Sequence, residues 1–124
     1  MRHSTLFLIT GILGLFFGLC TVLMPGAFYE FYGGILTDNG KYAAQLQGAA
    51  YLGFALLFFF AAKAGESKAR TAIVVGAFIH FLIGLVVSLK WQIAGVVNAW
   101  GWTTVAIFAL LSIGYLYLLL KGGE

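Results

Sequence analysis

Four apolar runs of about 20 residues, parted by short clusters of charge, dominate this chain of 124 residues. About 20 apolar residues in a helix are needed to cross the hydrocarbon layer of a bilayer. The spacing leaves room for four such spans and for nothing else, so the fold class read from it is all-α, an integral membrane four-helix bundle. With 62% hydrophobic and 9% charged side chains and a mean hydropathy of +1.01, the chain lies far from soluble globular domains.

The spans are expected over residues 5–24, 42–62, 71–89 and 98–120, forming one domain over 1–124. Pro25 and Gly26 stop the first span, because proline supplies no amide and clashes with a preceding helical turn. Phe28, Tyr29, Phe31 and Tyr32 then surround Glu30, and such aromatic residues favour the headgroup layer. A short interfacial helix is expected there, closed by an Asn-Gly turn at Asn39 and Gly40. Phe58, Phe59 and Phe60 carry no small face and are expected to look at lipid. Trp91, Trp100 and Trp102 mark the interface around the last connection.

Lys and Arg set the orientation. Arg2, Lys63, Lys68, Arg70 and Lys121 collect on one side, and Lys41 and Lys90 on the other. Both termini and the middle loop are therefore expected in the cytoplasm, in a multi-pass protein of the cell (inner) membrane. The first span is read as uncleaved: it is longer than a signal core, no small-x-small site follows it, and Leu19 rather than a small residue precedes Cys20. The basic residues, dispersed among several sites, form no stripe for nucleic acid. One cysteine excludes an internal disulfide, a CxxC pair and a cysteine-built metal site.

In hydrocarbon, helices associate through close approach at small residues and through polar contacts. Gly11, Gly14 and Gly18 in the first span are therefore assigned to helix packing. So are Gly76 and Gly84 in the third, within a stripe of Ala72, Gly76, His80, Gly84 and Ser88 at four-residue spacing. His80 is the most informative residue, since an ionisable group in mid-span is costly and usually functional. Three explanations stand open: a neutral imidazole bonded to a backbone carbonyl, Tyr51 or Ser112 at similar depth, a group that binds quinone or another lipophilic carbonyl, or a proton relay. Haem held by two histidines is disfavoured, because His3 lies about half a bilayer away. Gln45, Gln47, Ser88 and Asn98 share an outer layer that Glu30 could join, either as helix caps or as a pocket.

Absent residues exclude several activities. Span one holds no carboxylate for proton-coupled export, and no Ser-His-Asp set, HExxH or carboxylate pair is present. The segments Pro25 to Gly33 (PGAFYEFYG), Gln45 to Gly53 (QLQGAAYLG) and Gly95 to Trp102 (GVVNAWGW) resemble small four-span bacterial proteins of DoxX-like type. That resemblance implies a four-helix membrane bundle that serves as an accessory subunit of quinone-linked complexes. The resulting expectation is a non-enzymatic component that binds quinone or lipid, or joins a larger membrane complex, with His80, Tyr51 and Ser112 lining an interior site. The alternative is a homo-oligomeric transporter or channel lined by Gln45, Gln47 and Asn98.

Overall fold

The computed structural model of the protein describes residues 2–121. Met1 and Gly122–Glu124, included in the expected domain, lie outside the described residues. Among the described residues five helices follow one another: α1 (His3–Leu23), α2 (Pro25–Phe31), α3 (Asp38–Ala61), α4 (Lys68–Ile93) and α5 (Gly101–Lys121). All but α2 are long and apolar enough to cross a membrane; at 1.5 Å per residue they measure about 31 to 39 Å. The protein is thus an all-α, four-span membrane protein with a short helix after the first span.

Local chemistry sets the helix ends. Pro25 occupies the first turn of α2, where an amide would have no intrahelical partner anyway. Gly33 (φ +88) and Gly95 (φ +78) follow α2 and α4 in the left-handed region. There Gly34 N–H bonds to Tyr29 O at 3.0 Å and Val96 N–H to Trp91 O at 3.2 Å, the six-to-one bond of a Schellman end. The expected Asn-Gly turn is absent, because the Thr37 hydroxyl accepts from Gly40 N–H at 3.1 Å and caps α3. Asn39 and Gly40 therefore lie in its first turn, and the reversal falls earlier, at Gly33. Ser67 likewise caps α4 by accepting from Arg70 N–H at 3.1 Å.

The spans pack chiefly as two pairs, α1 with α3 and α4 with α5. The α1–α3 contact is the closer kind that small residues permit. A Cβ at Gly18 would stand 3.1 Å from Gly48 O, and one at Gly48 would stand 3.0 Å from Gly18 O. Each glycine faces the other helix's backbone, so the gain is van der Waals contact rather than removal of surface from water.

The pairs join through a core in the half of the bundle nearer both termini. Leu6 and Phe7 from α1, Ala61 from α3, Val74, Ala77 and Phe81 from α4, and Leu111, Tyr115 and Leu118 from α5 compose it. Tyr115, fully buried, is its hub: Phe81 stacks on it at 5.8 Å and Phe7 at 6.2 Å, and Phe58 approaches at 6.1 Å. Its hydroxyl lies 2.6 Å from Thr10 Oγ1, which also donates to Leu6 O at 2.8 Å. The Phe58–Phe60 run divides accordingly. Phe58 packs on the core and Phe59 lies over Gly11, leaving only Phe60, 73% exposed, to look outward. Successive helical residues point about 100° apart, so three in a row cannot share one environment.

Candidate functional site

His80 is the thirteenth of the 26 residues of α4, which places it about 18 Å along the axis from either end. It is exposed on the surface of the chain. Phe81 stands edge-on at 4.9 Å, Phe108 of α5 at 6.2 Å and Phe54 of α3 at 6.5 Å. Among the described residues no hydrogen bond reaches either imidazole nitrogen. One turn away, Gly76 has nothing within 4 Å of where a Cβ would stand. The opposite neighbour, Gly84, lies under the Phe108 ring. The α4 stripe therefore splits: Gly84 packs α5 while Gly76 and His80 face outward.

Tyr51 and Ser112 are not joined to His80 by any hydrogen bond. The Tyr51 hydroxyl accepts from Gln47 Nε2 at 2.9 Å, and Gln47 Oε1 in turn accepts from the Tyr29 hydroxyl at 3.0 Å. This chain of three ties α2 to α3. Burial pushes the Tyr29 hydroxyl above its usual value, and Tyr32 beside it adds to the effect. It therefore stays protonated and donates to Gln47 across the neutral range. Ser112 is buried in α5 with its hydroxyl oxygen unpaired among the described residues.

The other outer-layer residues serve separate helix ends. Gln45 Nε2 donates to Val22 O at 2.9 Å and so holds the last turn of α1. Ser88 bonds back to Leu85 O at 3.1 Å, and Glu30 is exposed. Asn98 does the most. Its Nδ2 donates to Phe31 O at 2.9 Å, its Oδ1 accepts from Trp100 N–H at 3.0 Å, and its own N–H bonds to Tyr32 O at 2.9 Å. It clips the end of α2 to the α4–α5 connection, with the Phe31 and Trp100 rings 5.1 Å apart beside it. Asn98→Ala is expected to loosen this clip by about 1.4 kcal/mol. That predicts amide exchange about tenfold faster in peptides covering 31–34 and 98–101, with peptides of the Tyr115 core unchanged.

Two polar residues escaped the sequence reading. Gln92, buried, donates from Nε2 to Asn98 O at 3.0 Å and packs against Gly101, where any side chain would collide with it. Placed between Trp91 and Ile93, it looked like one more interfacial residue, and nothing in its neighbours signalled burial. Arg70 is 6% exposed although it sits in a charged cluster that reads as solvated loop; only its four-residue separation from Val74, a core position, could have hinted at an inward face. His3, at the start of α1, is also buried, with its ring 6.1 Å from Phe7. No family model, curated protein or solved structure matches the chain, so architecture alone classifies it, as a small multi-pass membrane protein built on four apolar helices.

Proposed function

We propose that this protein is a non-enzymatic membrane component that takes up a lipophilic ligand with a polar carbonyl or hydroxyl head, of quinone or lipid type, at His80. The observation that carries the reading is the exposed imidazole in mid-span, without a hydrogen-bond partner among the described residues. At that depth water is scarce and an unsatisfied polar group costs several kcal/mol. A molecule that arrives through the bilayer can supply the missing partner. Phe54, Phe81 and Phe108 offer ring edges and faces against which a flat apolar head would pack. Tyr51 and Gln47 lie one and two turns from Phe54 along α3, whereas Asn98 and Glu30 stay at the outer end of the bundle and take no part in the His80 site. On this reading the protein is a DoxX-like accessory subunit of the inner membrane, with its basic, terminus-bearing end in the cytoplasm.

A second reading is favoured by the open space at Gly76. A second copy of the chain, or a subunit of a larger complex, would pack there and satisfy His80, giving an oligomer of transporter or channel type. Native mass spectrometry of gently extracted protein, wild type against His80→Ala, separates the two. A bound small molecule that disappears with the imidazole supports the ligand site. A defined oligomer that falls to monomer in the variant favours the second reading, and a bare species indifferent to the substitution overturns both.

A further inference from the structure

A separate feature lies at the end of the bundle where α1 and α4 begin. Arg2, His3, Ser4, Ala62, Ala64 and Arg70 line a cavity of about 350 Å³. Arg70 is 6% exposed. Its backbone N–H is used by Ser67 Oγ, but among the described residues its guanidinium meets no carboxylate and makes no hydrogen bond. Arginine stays charged at any accessible pH, and a buried charge without a counter-charge is strongly unfavourable. Arg2 adds a second cation on the rim, and no described residue lining the cavity is acidic.

The backbone reinforces the same sign. Arg2 is the N-cap of α1 and makes no side-chain cap bond, and the first turn of α1 holds no acidic residue. The positive end of the helix dipole thus adds to the positive potential at the cavity. Because α1 and α4 both span, this end meets the headgroup layer, the depth at which lipid phosphates lie. Basic pockets between spans suit anionic headgroups, and the guanidinium fork matches two phosphate oxygens.

We propose that this cavity is a phosphate-binding site, filled by the phosphate of an anionic lipid headgroup or by a free phosphate anion, with Arg70 as its main donor and Arg2 on its rim. Arg70 acts here as a fixed buried cation whose charge the bound phosphate neutralises.

The test uses the full chain, stripped of lipid in non-ionic detergent. Phosphatidylglycerol, phosphatidylcholine and inorganic phosphate are titrated separately at constant ionic strength, and binding is read from native mass spectra and tryptophan-monitored melting. A one-to-one adduct with phosphatidylglycerol, weakened about tenfold or more by Arg70→Gln and unaffected by Lys90→Gln at the other end, supports the site and assigns it to lipid. Equal protection by inorganic phosphate, equally lost in Arg70→Gln, supports the site and assigns it to free anion. Should Arg70→Gln fail to fold, the exposed Arg2→Gln takes its place, with about threefold weaker binding expected. Arg70→Gln binding as tightly as wild type overturns the proposal, and so does a wild type that prefers neither anionic probe over phosphatidylcholine or chloride.

Discussion

Gly48→Leu is expected to lower the stability of the folded bundle by about 3 kcal/mol, the upper part of the range for overpacking a tight contact. A Cβ at this position meets Val22 Cγ2 at 2.8 Å, Thr21 Cβ at 3.0 Å and Gly18 O at 3.0 Å. The last is backbone, which cannot swing aside as a flexible side chain can, so α1 and α3 must move apart. Separation would also forfeit the contacts of Gly14, where an added Cβ would stand 3.3 Å from Tyr51 O. Unfolding in mixed micelles at rising denaturant gives the measurement. Gly53→Leu on the same helix is the comparison, because Gly53 has nothing within 4 Å and its change should stay within about 0.5 kcal/mol. Equal losses in the two variants would show that helix approach at Gly48 does not limit stability.

Phe7→Ala should cost about 2 to 3 kcal/mol. Phe7 is fully buried among Tyr115, Phe58 and His3, at the seam between the helix pairs. In a soluble protein such a truncation loses both transfer energy and packing. Here the alternative environment is lipid, as apolar as the core, so the transfer part largely vanishes. A cavity on the order of 100 Å³ at about 24 cal/mol per Å³ remains, roughly 2.4 kcal/mol. Phe60→Ala, at a 73% exposed position, should change little. A loss of equal size at Phe60 would mean that α3 is covered by something outside this chain, which would bear directly on the oligomeric reading.

Both experiments concern contacts that were only partly legible in the sequence. Gly11, Gly14 and Gly18 announce a packing face by their spacing, and they do meet α3 side chains or backbone. Their partner did not announce itself: Gly48 lies among Gln47, Ala49 and Ala50 in a stretch where small residues point several ways. Gly76 and Gly84 share one stripe and the same spacing, yet Gly84 is covered by Phe108 while nothing stands over Gly76. Spacing fixes which residues share a face. It does not say whether another helix arrives there.

The candidate site divides in the same way. His80 stands out in the sequence because an imidazole in mid-span is rare and costly. Its outward position, the Phe54 and Phe108 rings beside it, and the engagement of Tyr51 by Gln47 instead follow from how the helix pairs are set against each other. Arg70 is the converse case. Read as part of a charge cluster it is a topology signal, and its burial emerges only when α1, the end of α3 and α4 close around it.

The sequence by itself determined that four helices are long and apolar enough to cross a bilayer, that a short helix follows the first, and that an imidazole lies in mid-span. Those facts depend on the transfer of each residue from water to hydrocarbon and on bonds within a few residues, so they are local. Only the tertiary structure decided that α1 pairs with α3 and α4 with α5, that Tyr115 rather than His80 is the buried hub, and that Arg70 is buried at the lining of a cavity. Inside a membrane every face is apolar, so hydrophobic pattern cannot choose among partners. The choice is made by shape and by the few polar contacts, which exist only once distant segments have met.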